Sequence, residues 1–227
     1  LSKDFTLIKI DLPGHGKSKV YQEIHTVELM AEKVKEVIDA LKLEKINLLG
    51  HSLGGYVSLA FAEKFPEILE SMTLFFSTTL ADDDEKKQIR RRSIAVIDEN
   101  FETFVKTSIP NLFSNNEKDI LEGKIELAKN IAKSTNKEGV KAAQLGMAER
   151  PDRTEILENL DAKILIIAGK YDNAVKTENL LKIIPEKTNI KTYVLDCGHN
   201  GHWEKPTICA EIINTELLHN LPKHFLL

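Results

Sequence analysis

The chain of 227 residues predicts a doubly wound α/β fold with a mostly parallel sheet. Three observations carry this reading. Short, continuous apolar runs bounded by turn residues suit strands covered on both faces. Helical periodicity lies between most of these runs, and strand alternating with helix builds a parallel sheet. One long stretch, from Thr78 to Asp161, has helical patterns only, which marks an insertion between two strands.

The first run, "FTLIKI" (Phe5 to Ile10), predicts a strand, followed by the turn "DLPGHGKS". That turn resembles the end of a phosphate-binding loop but fails the test, because the loop needs glycine where Asp11 stands, and a dinucleotide fingerprint needs glycine where Lys19 stands. A helix follows. Val27, Met30, Val34, Val37, Ile38 and Leu41 fall at 3.6-residue spacing, with Thr26 as N-cap and Glu28 in the first turn. "INLLG" predicts the second strand and "MTLFFS" the third. Within the insertion, Phe101, Phe104, Val105, Ile109 and Leu112 make one apolar stripe, which Pro110 ends or kinks. Leu121, Ile125, Ala128 and Ala132 make another. The basic run from Lys86 to Arg92 reads as a solvated helix face. "ILIIAG" and the half-alternating "KTYVLD" return the chain to strands. The expected division is a core of residues 1–77 and 162–227 with a helical cap of residues 78–161.

Composition narrows the function classes. The chain is 42% hydrophobic and 29% charged with a formal net charge of -4, which suits a sizeable core and calls for neither nucleic acid nor a membrane surface as partner. No apolar run approaches the roughly 20 residues of a membrane span. Cys197 and Cys209 have no metal-ligand spacing, so the expected compartment is the reducing cytoplasm. The expected partner is a small-molecule substrate; oligomeric state is not legible in the sequence.

The segment with the most chemical content is "INLLGHSLGGYVSLAFAEKFPE". A strand ends at Gly50-His51-Ser52-Leu53-Gly54 and a helix follows at once, which is G-x-S-x-G in the context that gives it meaning. The serine must stand on a strained turn so that its hydroxyl clears the sheet edge, and side chains at positions 50 and 54 are expected to collide there. Gly55 is expected to let the helix pack close to the strand. Near the C-terminus, "LDCGHNGHWEKP" holds His199 and His202, either of which could serve that serine. A metal site would need a third ligand, and no recognised spacing supplies one.

These motifs together resemble the α/β-hydrolase family. "IDLPGHGKS", "GHSLGG", "IIAGKYD" and "GHNGHWEKP" are similar to its turn before the elbow, its nucleophile elbow, its acid-bearing strand and its histidine loop, in that order, between residue 5 and about residue 218. "GMAERPDRTEIL" resembles the segment leading out of the cap in esterase- and lactonase-like members. The resemblance implies a sheet of the α/β-hydrolase type and a triad of Ser52 as nucleophile, Asp172 as acid and His199 as general base, with the Leu53 backbone N–H as an oxyanion donor and Gly50 and Gly54 as elbow glycines. Asp196 is the rival acid, but it leads directly into the histidine loop. His51, Tyr56, His202 and Trp203 are the expected pocket residues. Such chemistry needs no cofactor and no metal.

The implied function is a serine hydrolase acting on a small ester, lactone or thioester through an acyl-enzyme, with an apolar pocket formed by the Phe101/Phe104 stripe and small apolar acyl groups preferred. Three alternatives share the triad: a menaquinone-pathway lyase, a carbon–carbon bond hydrolase, and a ligand receptor that signals through its cap. The lyase subgroup carries arginine four positions after the serine, where this chain has Tyr56. Preference for a polyanion would revive that reading and give Arg90, Arg91, Arg92, Arg150 or Arg153 a role. The family's sheet opens with strands before the one at Phe5, and the loop after one of them supplies a second oxyanion donor. The chain is therefore expected to lack its N-terminal strands, since a first strand at Phe5 would leave an apolar sheet edge bare.

Overall fold

A computed structural model of the chain describes residues 6–217 and 224–226. The elements follow in the order β1 (Thr6–Ile8), α1 (Val27–Ala40), β2 (Ile46–His51), α2 (Leu53–Lys64), β3 (Leu69–Phe75), α3 (Asp84–Glu99), α4 (Phe101–Ser108), α5 (Lys118–Lys133), α6 (Lys137–Glu149), α7 (Glu155–Asn159), β4 (Lys163–Gly169), α8 (Thr177–Leu181), β5 (Ile190–Leu195), α9 (Gly201–Glu204), α10 (Pro206–Leu217) and β6 (His224–Leu226). The sheet order is β1-β6-β2-β3-β4-β5, and every pairing is parallel. The five runs foreseen as strands are strands. The sixth strand was not foreseen, because a run of three residues offers no pattern to read. The first is shorter than Phe5 to Ile10, and Phe5 itself lies outside the described residues.

Period-two alternation divides the sheet into two buried faces. Leu48, Met72, Leu74, Ile164 and Ile166 point to one side, where they pack with α1 and α2. Leu49, Phe75, Leu165 and Ile167 point to the other, where Cys209, Ile213 and Leu217 of α10 cover them. The sheet is thus doubly wound. Helix α1 forms as its spacing dictates: Thr26 Oγ1 accepts from the Leu29 N–H, and Val27, Met30, Ala31, Val34 and Ile38 are buried. Leu41 departs from the stripe; it caps the helix end and is 49% exposed. Helix α2 is apolar all round, since Tyr56, Val57, Leu59, Ala60, Phe61 and Ala62 are all buried. That is the pattern of a helix enclosed on every side.

Between β3 and β4 the described residues contain helices and no strand. Pro110 ends α4 as expected, and the stripe continues through a 3₁₀ turn at Ile109–Leu112. The last piece of this stretch differs from the rest. Ile156, Leu157 and Leu160 belong to the main core beside α2, so residues of α7 act as core although they fall inside 78–161.

Candidate active site

The turn between β2 and α2 is built around Ser52, whose backbone holds φ 50 and ψ -112. A positive φ at a non-glycine residue carries strain of about 1 to 3 kcal/mol, which persists only where surrounding bonds over-determine it. Here they do. The Ser52 N–H donates to the Phe75 carbonyl at 3.1 Å, and the Ser52 carbonyl accepts from the Gly55 N–H at 2.9 Å and the Ser77 hydroxyl at 2.8 Å. A Cβ at Gly50 would lie 2.1 Å from the Gly54 carbonyl oxygen, so position 50 admits no side chain. Gly54 differs from expectation: a Cβ there meets nothing within 4 Å. The second crowded position is Gly55, where a Cβ would lie 2.3 Å from Ser77 Oγ. The crowding at position 50 comes from the Gly54 and Gly55 backbone at the start of α2, and at position 55 from Ser77 after β3 and the Gly50 carbonyl, while position 54 faces open space.

Ser52 Oγ lies 2.7 Å from His199 Nε2, and His199 Nδ1 lies 2.7 Å from Asp172 Oδ2. The carboxylate can only accept, so Nδ1 carries the proton toward Asp172 and Nε2 accepts from the serine hydroxyl. Asp172 is held by its other oxygen, which accepts from the N–H groups of Ala174 and Val175 at 2.7 and 2.8 Å. The side chains of Asp172 and His199 are 1% and 3% exposed. The histidine loop is anchored from both sides. Its His199 and Asn200 N–H groups donate to the Leu112 carbonyl, and the buried Glu204 carboxylate accepts from the Gly198 N–H at 3.0 Å and the Ser114 N–H at 3.2 Å. Glu204 therefore ties the loop to the insertion. Asp196, the rival acid, is 72% exposed and pairs with Lys170 at the surface.

A cavity of about 390 Å³ opens over Ser52 and His199. Phe101, Phe104, Val105, Ile109, Leu112 and Met147 form much of its wall, so the insertion's apolar stripe faces the serine. Leu53, whose N–H is the first of α2, lies on the same cavity, and the first N–H groups of a helix lack intrahelical acceptors. His51 and Tyr56 line it. His51 Nε2–H donates to the His199 carbonyl at 3.0 Å; burial, with the His199 and His202 imidazoles nearby, holds its pKa well below the ordinary value. His202 and Trp203 do not line it. His202 packs edge-on to His51 with ring centroids 4.7 Å apart, and Trp203 packs on Phe113. Both follow His199 in the one-turn helix α9, and their partners are His51 and Phe113 rather than the serine.

His15 and Lys86 line the cavity without having been singled out in the sequence, and Arg90, named there only as one of several possible partners of a polyanion, lines it too. The run from Lys86 to Arg92 is not a uniformly solvated face. Arg91 and Arg92 are exposed, but Arg90 is bonded to the fully buried Asp82 and to Gln144, and its side chain is 13% exposed. Arg150 also binds Asp82, at 2.8 Å, and lies 3.8 Å above the Tyr56 ring. Arg153 faces elsewhere and pairs with Glu28 and Glu63. Nothing local in the sequence set Arg90 apart from Arg91 and Arg92, because its partner Asp82 lies eight residues before it.

Comparison with known proteins gives the family. A protein named "Putative 2-succinyl-6-hydroxy-2,4-cyclohexadiene-1-carboxylate synthase" from Bacillus subtilis (strain 168) is 29% identical over 93% of this chain and 80% of its own length. The 2-hydroxy-6-oxononadienedioate/2-hydroxy-6-oxononatrienedioate hydrolase of Escherichia coli (strain K12) is 27% identical over 88% of this chain and 72% of its own. Among solved structures, a thermophilic esterase from Thermogutta terrifontis superimposes with a TM-score of 0.84 at 32% identity, covering 90% of this chain and 76% of the esterase. The sequence pattern of the alpha/beta hydrolase fold matches residues 1–206, and the chain belongs to the α/β hydrolase fold family.

Proposed function

We propose that this protein is a serine hydrolase that cleaves a small carboxylic ester, lactone or thioester through an acyl-enzyme on Ser52. The observation that carries the reading is the unbroken pair of 2.7 Å bonds from Ser52 through His199 to Asp172, set at the wall of a mainly apolar cavity. His199 Nε2 takes the Ser52 proton as Oγ attacks the substrate carbonyl. Asp172 holds the imidazolium that forms. The Leu53 N–H donates to the developing oxyanion, a contact worth about 3 to 4 kcal/mol in such sites. His199 then gives its proton to the leaving oxygen or sulfur. A water molecule, losing its proton to His199, attacks the acyl carbonyl; the acid departs and Ser52 regains its proton. No cofactor enters the reaction. In this reading helices α3 to α6 form a cap that shapes the acyl pocket.

The likeness to the esterase supports ester chemistry, and the names of the two relatives keep the carbon–carbon hydrolase and the lyase as competitors for the same residues. Turnover of p-nitrophenyl butyrate separates them from the proposal. An active wild-type protein that labels with a fluorophosphonate on Ser52 alone, and loses both properties in Ser52→Ala, is the expected result. Catalytic turnover also excludes a receptor that only binds. Labelling elsewhere, or ester turnover surviving Ser52→Ala, overturns the reading.

A further inference from the structure

The cavity over Ser52 is mainly apolar, and Tyr56, Lys86 and Arg90 bring hydrogen-bond donors to it. Tyr56 is buried, and its hydroxyl has no hydrogen-bond partner among the described residues; burial raises its pKa, so the phenol keeps its proton. Arg90 spends Nε on Asp82 and Nη1 on Gln144, which leaves Nη2 without a partner among the described residues. Lys86 donates one N–H to the Ala174 carbonyl at 2.7 Å and stands 3.7 Å from Asp82. All three line the same cavity as Ser52. Ala174 follows the residue whose carboxylate holds His199 by two positions, so the Lys86 ammonium sits at the acid's end of the cavity.

The charges do not balance. Two carboxylates, Asp82 and the Asp172 that holds His199, face three cations: Lys86, Arg90 and Arg150. Each of them also makes a structural contact, Lys86 to the Ala174 carbonyl. Arg150 ties the end of α6 to the segment after β3 through the carbonyls of Met147 and Leu80, and Arg90 ties α3 to α6 through Gln144. Lys86 adds a third positive charge to a carboxylate that is already bonded twice. Excess cations beside apolar walls cost desolvation energy that an anion in the cavity would offset. Two donors on charged groups and one phenol match the two oxygens of a carboxylate.

Resting on the ester-hydrolase reading above, we infer that the acyl group of the preferred substrate carries a second, ionised carboxyl, held by Lys86, Arg90 and the Tyr56 hydroxyl while its ester carbonyl meets Ser52. This replaces the sequence expectation of a plain apolar acyl group. The substrate class is a monoester of a short dicarboxylic acid.

The test compares p-nitrophenyl butyrate with the mono-p-nitrophenyl ester of glutaric acid, which presents a carboxylate beyond a chain of similar length. The wild-type protein is expected to favour the glutarate ester by about 10- to 100-fold in kcat/KM, the range expected for hydrogen bonds to a charged group. In Lys86→Gln the ratio of the two kcat/KM values falls about tenfold or more, and in Lys86→Arg it recovers. Partial unfolding lowers both values together and leaves the ratio alone. A measurement free of any variant stands beside it: glutarate inhibits butyrate-ester hydrolysis at concentrations about tenfold below those needed of butyrate. No turnover of either ester refutes the hydrolase reading itself. Turnover of both with no preference for the anion, or a ratio unchanged in Lys86→Gln, overturns the carboxylate inference alone.

Discussion

Replacing Asp172 with asparagine leaves the shape of the site in place and reverses one hydrogen bond. The Asp172 carboxylate accepts at both oxygens: Oδ1 from the Ala174 and Val175 N–H groups, Oδ2 from His199 Nδ1. Asparagine has one oxygen and one NH2. Two backbone donors at 2.7 and 2.8 Å outbid one imidazole for the oxygen, so the NH2 turns toward His199. The imidazole must then accept at Nδ1 and carry its proton on Nε2, where it can no longer take the Ser52 proton. Loss of the correct tautomer in a comparable triad costs about 10⁴ in kcat. At about 1.36 kcal/mol per factor of ten, that is about 5.4 kcal/mol of transition-state stabilisation. The assay is kcat for p-nitrophenyl butyrate with Ser52→Ala as the floor, and circular dichroism and the urea midpoint to show an intact fold. Asp196→Asn is the control, expected to keep wild-type activity because its side chain is exposed. If Asp172→Asn keeps more than a tenth of the activity, or Asp196→Asn is the variant that loses it, the assignment of the acid is refuted.

Other perturbations separate roles that the sequence alone leaves joined. His199→Ala should cost several orders of magnitude in turnover and His202→Ala about tenfold or less, since only the first touches Ser52; reversed losses in steady-state assays refute the general-base assignment. Gly50→Ala should abolish activity and lower stability, as its Cβ would strike the Gly54 backbone. Gly54→Ala should fold and gain up to about 1 kcal/mol from helix propensity, because its Cβ meets open space; equal urea midpoints for the two variants contradict this. His25 is fixed as the neutral imidazole, with Nδ1–H donating to the Pro13 carbonyl and Nε2 accepting from the Tyr21 and Gln22 N–H groups. Burial, the leading cause, lowers its pKa, and His51 is lowered in the same way. The unfolded chain therefore binds these protons first. Stability is fully present above the ordinary histidine value near 6.5 and falls as pH drops toward the lowered folded values, by up to about 1.4 kcal/mol per pH unit for each imidazole. Urea midpoints at pH 7.5 and 5.5 check it, and His25→Gln should flatten the slope; an unchanged slope rules His25 out.

By itself the sequence determined the order of five of the six strands and the geometry that depends on neighbours along the chain. Alternating apolar runs and 3.6-residue stripes are local, so the strands and α1, with its Thr26 cap, were legible, as was the strained turn between β2 and α2. The candidate residues Ser52, Asp172 and His199 each sit in a local motif of their own, although nothing local brings them together. Tertiary structure decided the rest. It chose Gly55 over Gly54 as the crowded glycine, because the crowding atoms belong to Ser77, which is distant in sequence from the turn. The fold gave α7 to the core and turned His202 and Trp203 away from the cavity. It also divided the basic run of α3, sending Lys86 and Arg90 toward the cavity and Arg91 and Arg92 to solvent. The partners behind these outcomes, among them Asp82 and Ser77 after β3, Gln144 of α6 and Ala174 after β4, come from three separate parts of the chain. Which of them a side chain meets depends on how helices pack on the sheet, and no spacing within one segment encodes that.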